Sequence, residues 1–232
     1  MSFPRKFYCI ADTHLYPGCR QRGDVLRFIW GADAPIYWLG DTLEGYRSDG
    51  RLSAMFSGDE IDRELATYIE TAAIEGRIVR GNHDNECGVI QFSPDAIRDH
   101  AQGMAMAHGS SWDVWFATHT AEAQADFVGR MVYRLEQWGL SISAKLVRGL
   151  RDKGWIKRAE KWMRDRAITT LICGHVHDPE IWFTDAGTIA VCGGWKGGAP
   201  YGVIKVENGV PSLMKWVTWA NEPDKPLPPE EV

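Results

Sequence analysis

The chain has 232 residues, is 44% hydrophobic and carries a formal net charge of −5, the make-up of a globular protein with room for one large domain or two small ones. The acidic balance argues against a general nucleic-acid binder, and no apolar run approaches the length of a membrane span. The five cysteines are an odd number without close pairing, so a reduced, cytoplasmic protein is expected rather than one held by disulfides.

Residues 5–11, RKFYCIA, read as an apolar strand ending at Asp12, too short to serve as a secretory signal. Residues 21–31 read as a helix, and PIYWLG at 35–40 as a second strand, ending at Asp41. Over 59–75, Ile61, Leu65, Tyr68, Ile69 and Ala72 recur at helical spacing behind acids in the first turn. Strands at 77–80, 103–107 and 168–174 lead to Asn82, His108 and His175. Residues 113–165 hold no proline, and two or three helices are expected there. Segments at 180–184, 187–192, 201–206 and 212–219, punctuated by Gly, Asn and Pro, are expected to form a β-meander. The Pro-rich acidic tail at 221–232 is expected to be disordered, which leaves one domain over 1–220. The tryptophans are expected to pack the core and its rim, with Cys9 and Cys173 buried as small hydrophobes.

Strands alternating with helices favour an α/β architecture with helices outside one or two sheets. Ligands in such folds gather beyond the carboxyl ends of strands. The unusual residues lie there: Asp12 and His14 in IADTH, Asp41 in WLGDT, Asn82, His83 and Asp84 in RGNHD, His108 in MAHGS, and His175 and His177 in CGHVH. A surface turn has backbone reasons to use Gly, Asn and Asp, but none to use His. Imidazoles and carboxylates together suit borderline divalent metals such as Mn, Fe, Zn, Co or Ni. The groups exceed what one ion needs, and two ions sharing a bridging carboxylate would use them all. On extended backbone the D-x-H and H-x-H spacings point alternate side chains the same way, toward one site. Glycines 40, 81, 109 and 174 permit tight turns and close approach beside it.

The ordered set DTH, GD, GNHD, HG and GHVH resembles that of the calcineurin-like metallophosphoesterases, and the match runs from residue 9 to about 195. The resemblance implies two packed β-sheets flanked by helices in a four-layer sandwich, and a two-metal phosphoester hydrolase. It implies that Asp12, His14 and His177 hold one ion, that Asn82, His108 and His175 hold the other, and that Asp41 bridges. His83 would lie beside the scissile phosphate, as a stabiliser of charge or the acid for the leaving oxygen, with Asp84 orienting its ring. The reaction implied is hydrolysis of a phosphodiester by attack of metal-bound hydroxide, with two divalent ions, manganese foremost, as cofactors.

Within the family, the helical insertion at 113–165 resembles that of the UDP-2,3-diacylglucosamine pyrophosphohydrolase branch. The chain departs from that branch in HGS at Ser110, in VCGGW at Val191 and Gly194, and in having His83 where members carry Arg. A pyrophosphohydrolase of that type is therefore the alternative reading, and a non-catalytic metal-binding scaffold is a third. Residues 145–166 hold nine Lys/Arg against three acids, with Trp155, Ile156, Trp162 and Met163 interleaved. They offer a helical cap over the site, or a peripheral contact with an acidic membrane surface. The expected partner is a phosphoester substrate, not nucleic acid. His100 and His119 match no motif, and Arg47 and Arg51, after Asp41, could contact a phosphate, although arginines are common in loops.

Overall fold

The strand β1 (Lys6–Ile10) is apolar along nearly its whole length because both of its faces are covered. Phe7 and Cys9 point into a layer between two sheets, while Tyr8 and Ile10 point outward under helices. The same division repeats through the fold. In the computed structural model, which describes residues 2–45, 47, 50–84, 87–112, 153–195, 201–216 and 230–231, a six-stranded and a five-stranded sheet pack face to face.

The first sheet holds β1, β2 (Ile36–Leu39) and β3 (Ile78–Val79) as parallel neighbours. Helices α1 (Arg22–Gly31) and α3 (Glu60–Ile74) cover its outer face with Val25, Leu26, Phe28, Leu65, Ala66 and Ile69. A capping box between Asp59 and Asp62 starts α3 at the acids visible in the sequence. A short helix α2 (Leu52–Phe56) and a 3-10 turn at Gly88–Phe92 have no counterpart in the sequence reading. Both are too brief for periodicity to register.

The second sheet holds β4 (Ala96–Asp99), β5 (Met104–Ala107), β6 (Thr170–Cys173), β7 (Glu180–Thr184) and β8 (Gly187–Val191), with β5, β6 and β8 parallel. Helix α4 (Lys153–Arg164) packs Trp155, Ala159 and Met163 on its outer face. Strand β4, another element not anticipated, pairs antiparallel with β5 along the edge. Its sequence, AIRD, has too little apolar alternation to announce a strand.

The expected β-meander is not formed. β7 and β8 are a hairpin of the five-stranded sheet, whereas β9 (Tyr201–Glu207) and β10 (Val210–Trp216) return to the six-stranded sheet beside β1. The Asn208–Gly209 turn, both residues at positive φ, makes the second hairpin. The pairing partner of each hairpin is far away in sequence, and local turn signals do not specify it. In the tail, Glu230–Glu231 pairs with Met214 and Lys215 of β10 as a further strand, β11; this corrects the expectation of a wholly disordered tail. Residues 217–229, and residues 113–152 of the insertion, lie outside the described residues.

The outer face of α4 shows Lys157, Lys161 and Arg164, but Lys161 pairs with Asp165 at 2.6 Å and Arg164 lies 4.0 Å from Glu160. Among the described residues no helix is long and apolar enough to cross a membrane. All five cysteines are free and buried.

Trp155 sits among Trp112, Ala159, Leu171 and Val191 in the layer that fastens α4 to its sheet. Trp155→Ala is expected to cost about 3–5 kcal/mol, read as a fall in the urea midpoint with the slope unchanged.

Candidate metal centre

Asp12, Asp41 and Asn82 follow β1, β2 and β3, three parallel neighbours of one sheet; His108 and His175 follow β5 and β6 of the other. The carboxyl ends of both sets of strands therefore open toward one place. Backbone bonds lace these loops together: Asp12 N–H to the Gly40 carbonyl (3.0 Å), His14 N–H to Asp41 (2.8 Å) and Gly174 N–H to His108 (3.1 Å).

The side chains converge by a route different from the expected extended D-x-H and H-x-H segments. Asp12, His14, Asp41, His175 and His177 all have positive φ, between 45° and 72°; among the described residues only Ala167 and Asn208 otherwise do so without being glycine. Left-handed backbone at Asp and His is uncommon and costs energy. Its concentration here marks a place where the fold imposes the conformation. The chain turns sharply at each candidate ligand, so the period-two argument does not apply.

Each buried aspartate divides its carboxylate between backbone and centre. Asp12 Oδ2 accepts from His175 N–H at 2.8 Å, and its Oδ1 faces His177 Nε2 at 3.3 Å. Asp41 Oδ1 accepts from His83 N–H at 2.8 Å. Its Oδ2 lies 3.3 Å from His108 Nε2, 3.9 Å from His83 Nε2 and 4.0 Å from His14 Nε2. Burial pushes the Asp41 carboxyl up, but the imidazoles of His108, His83 and His14 outweigh it and hold the group well below the usual range. For Asp12, burial is likewise outweighed by His177, and the net shift is downward.

His108 Nδ1 lies 2.8 Å from the Leu39 carbonyl. A carbonyl only accepts, so Nδ1 carries the proton and Nε2 is the atom turned to the centre. There it meets the Asn82 Oδ1 at 3.1 Å as well as Asp41 Oδ2. Two acceptor oxygens crowding a ring nitrogen call for a cation among them. Burial pushes His108 down, but Asp41 overrides it and raises the ring to about 10. The donor chemistry thus fits a divalent ion, with ligand atoms of Asp12, His14 and His177, and of Asp12, Asp41 and His108, within 4.8 Å of one another in each group. His175 stands beside His108, ring centroids 5.2 Å apart.

Glu44 is the residue the sequence reading missed. Its carboxylate is buried, with Oε1 2.5 Å from His83 Nδ1 and Oε2 3.2 Å from His14 Nδ1. Burial pushes Glu44 up, but His83 and His14 hold it well below its usual range, so it is ionised and can only accept. The His83 ring then carries its proton on Nδ1 and turns Nε2 toward Asp41, while the His14 ring stands against the other Glu44 oxygen. The one sequence signal was an acid three residues after Asp41, in GDTLE. The orienting part expected of Asp84 belongs to Glu44. Asp84 is fully buried, and its oxygens accept from the N–H groups of Leu43 (3.0 Å) and Gly81 (2.8 Å), which staples the two loops. Burial and then the charge of Asp41 raise Asp84 to about 6.

Two glycines are required by close approach. A Cβ on Gly81 would lie 2.2 Å from Asp41 Oδ1, and one on Gly40, at φ +88°, would lie 2.6 Å from the His108 ring. Gly109, the residue after His108, packs on Trp112 and Trp155, so the helix that returns from the insertion seats directly behind the His108 loop.

A sequence model of the calcineurin-like phosphoesterase family matches residues 5–179. No curated protein matches the chain in sequence. Among solved structures, vacuolar protein sorting 29 from Cryptosporidium parvum is similar at 13% identity and a TM-score of 0.51, covering 95% of each chain. A predicted phosphoesterase from Streptococcus pneumoniae TIGR4 is similar at 13% identity and 0.45, covering 94% of each chain. A dimetal phosphatase from Danio rerio is similar at 12% and 0.47, covering 90% of this chain and 94% of its own. The likeness to the Cryptosporidium protein is one of fold.

Gly81→Ala should displace Asp41 and abolish tight metal binding while circular dichroism stays that of the folded protein. Glu44→Gln presents one acceptor and one donor where two acceptors are needed. It should weaken manganese binding roughly 10–100-fold in calorimetry. Wild-type affinity in either variant would contradict the geometry given above.

Proposed function

The chain belongs to the calcineurin-like phosphoesterase family, and on that premise we propose that it is a metal-dependent phosphoester hydrolase that uses two divalent ions, manganese foremost, to cleave phosphodiesters. The observation that carries this reading is the position of Asp41 Oδ2, which lies 3.3 Å from His108 Nε2 and 4.0 Å from His14 Nε2, one ring from each proposed ligand set. A carboxylate oxygen near rings of both sets suits a shared ligand. Asp12, His14 and His177 would hold one ion; Asn82, His108 and His175 the other. When bound, such ions polarise a phosphoryl oxygen and make a coordinated water acidic.

The remaining work falls to the chain's own groups. Asn82, His83, His175 and His177 are the half-buried members of the set, so the centre opens past them to solvent. His83 presents Nε2 there, with Nδ1 held by Glu44. In its protonated form that Nε2–H is the donor for the leaving oxygen, a role worth roughly 10²–10⁴-fold in rate. Asp84 keeps the Gly81 and Leu43 backbone together and does not meet substrate in this scheme.

Metal content measured on purified variants tests the assignment. Asp41→Ala should lose both ions and all turnover, whereas Asn82→Ala should keep one and weaken the second. Full metal content in Asp41→Ala would rule out the shared ligand. His83→Ala should keep both ions and lose turnover of bis(p-nitrophenyl) phosphate. The loss should shrink as the leaving group becomes more acidic; a loss that is equal across a leaving-group series favours charge stabilisation in place of proton donation.

A further inference from the structure

Gln21 stands at the start of α1, a position that favours Ser, Thr, Asp or Asn as a cap. Its side chain makes no cap bond. It is buried and reaches instead to the loop that carries His14. There its Nε2 lies 2.9 Å from the Thr13 carbonyl and 3.2 Å from the His14 carbonyl. A carbonyl only accepts, so the amide presents its nitrogen, whose two hydrogens serve the two carbonyls. The residue is itself fixed from behind. Its own carbonyl accepts from the N–H groups of Asp24 and Val25, each at 3.0 Å, and Val25, Leu26 and Phe28 hold α1 on the core.

The two carbonyls belong to the two peptide planes that flank the Cα of His14. The N–H side of each plane is held as well: His14 N–H donates to the Asp41 carbonyl at 2.8 Å, and Leu15 N–H to the Thr42 carbonyl at 2.9 Å. The next carbonyls on either side take peptide donors, Asp12 from Trp195 at 3.1 Å and Leu15 from Glu44 at 3.0 Å. One side chain therefore completes a set that is otherwise made of backbone. It does so where the backbone is strained, since His14 has a φ of 45°. A left-handed histidine relaxes by rotating a flanking peptide toward extended or right-handed backbone. Either rotation would carry a carbonyl away from Gln21 and leave a buried donor unpaired, which is costly.

We propose that Gln21 is a positioning residue of the metal centre: by holding both peptides of His14 it keeps the left-handed turn, and so aims the His14 ring at the ion shared with Asp12 and His177. This rests on the two-ion reading above and adds to it the residue that sets one ligand. The His14 ring is buried within the group formed with Asp12 and His177, and a peptide rotation at its Cα would swing the whole ring out of that group. A ligand held in place before the ion arrives binds it more tightly than one that must first be ordered. The dependence is local. Asp12 has its own anchor in His175 N–H, and among the described residues the Gln21 amide bonds only the Thr13 and His14 carbonyls. The other proposed set, Asn82, His108 and His175, receives no bond from it.

Gln21→Met keeps the length of the side chain and removes both donors. In calorimetric titration with manganese it should weaken one of the two ions roughly 10–100-fold and leave the other within about twofold. Combined with His14→Ala, it should change manganese binding no further, because the ring it aims is gone; combined with Asn82→Ala, it should have its full effect. A merely structural role would lower affinity in both backgrounds. The metal-free protein gives a second readout. In NMR spectra of the histidine rings, Gln21→Met should shift or broaden the His14 signals and leave those of His108 in place. Should Gln21→Met fail to fold, Gln21→Asn, whose amide falls one methylene short of the carbonyls, should show the same selective change. Equal weakening of both ions, an undiminished effect in the His14→Ala background, or His14 ring signals identical to those of wild type would each overturn the proposal. If wild type binds fewer than two ions, the two-ion reading fails, and the ring signals still decide the role of Gln21.

Discussion

Two carboxylates, Asp12 and Asp41, are buried side by side where the two sheets meet, and the rest of the centre is arranged around that constraint. Buried charge is costly unless it is paired and hydrogen-bonded. Each carboxylate answers in the same manner. One oxygen takes a peptide N–H from a neighbouring loop, His175 for Asp12 and His83 for Asp41; the other is left to face imidazoles. The bond from His175 N–H to Asp12 also ties the loop after β6 to the loop after β1, and so joins the sheets at the centre itself. The negative charge that invites a cation is the same charge that fastens the loops.

That demand explains the backbone. For one oxygen to meet a peptide N–H while its partner points into the centre, the chain must turn sharply at the carboxylate. The left-handed conformations at Asp12, His14, Asp41, His175 and His177 accomplish this. Their cost is borne by the sheets on either side, whose strands are covered on both faces by apolar layers. Gly40 and Gly81 belong to the same solution, since any side chain there would occupy the space of His108 or Asp41.

Glu44 extends the pattern by one shell. A single ionised carboxylate fixes the tautomer of the His83 ring, which is turned to solvent, and faces the ring of His14, a candidate ligand. On the opposite side, Trp112 and Trp155 brace the loop of His108 through Gly109, with Arg158 donating to the Trp112 carbonyl. The returning helix of the insertion is thereby built into the wall of the centre, whatever its role toward substrate.

The sequence by itself determined the order of the core strands, the α/β class and the residues gathered at their carboxyl ends. Apolar runs such as FYCI and TLIC, each closed by a polar group, record burial directly, because a strand covered on both faces has no polar positions to spare. It also placed α1 and α3 within a residue or two, through periodicity and the acids of the capping box. Only the tertiary structure decided how the C-terminal strands divide between two sheets, because β9 takes its place beside β1 by long-range pairing that no turn signal encodes. It alone decided that Glu44, not Asp84, holds the ring of His83. The acid adjacent to a histidine in sequence spends its oxygens on the backbone, while one thirty-nine residues away meets the ring in space.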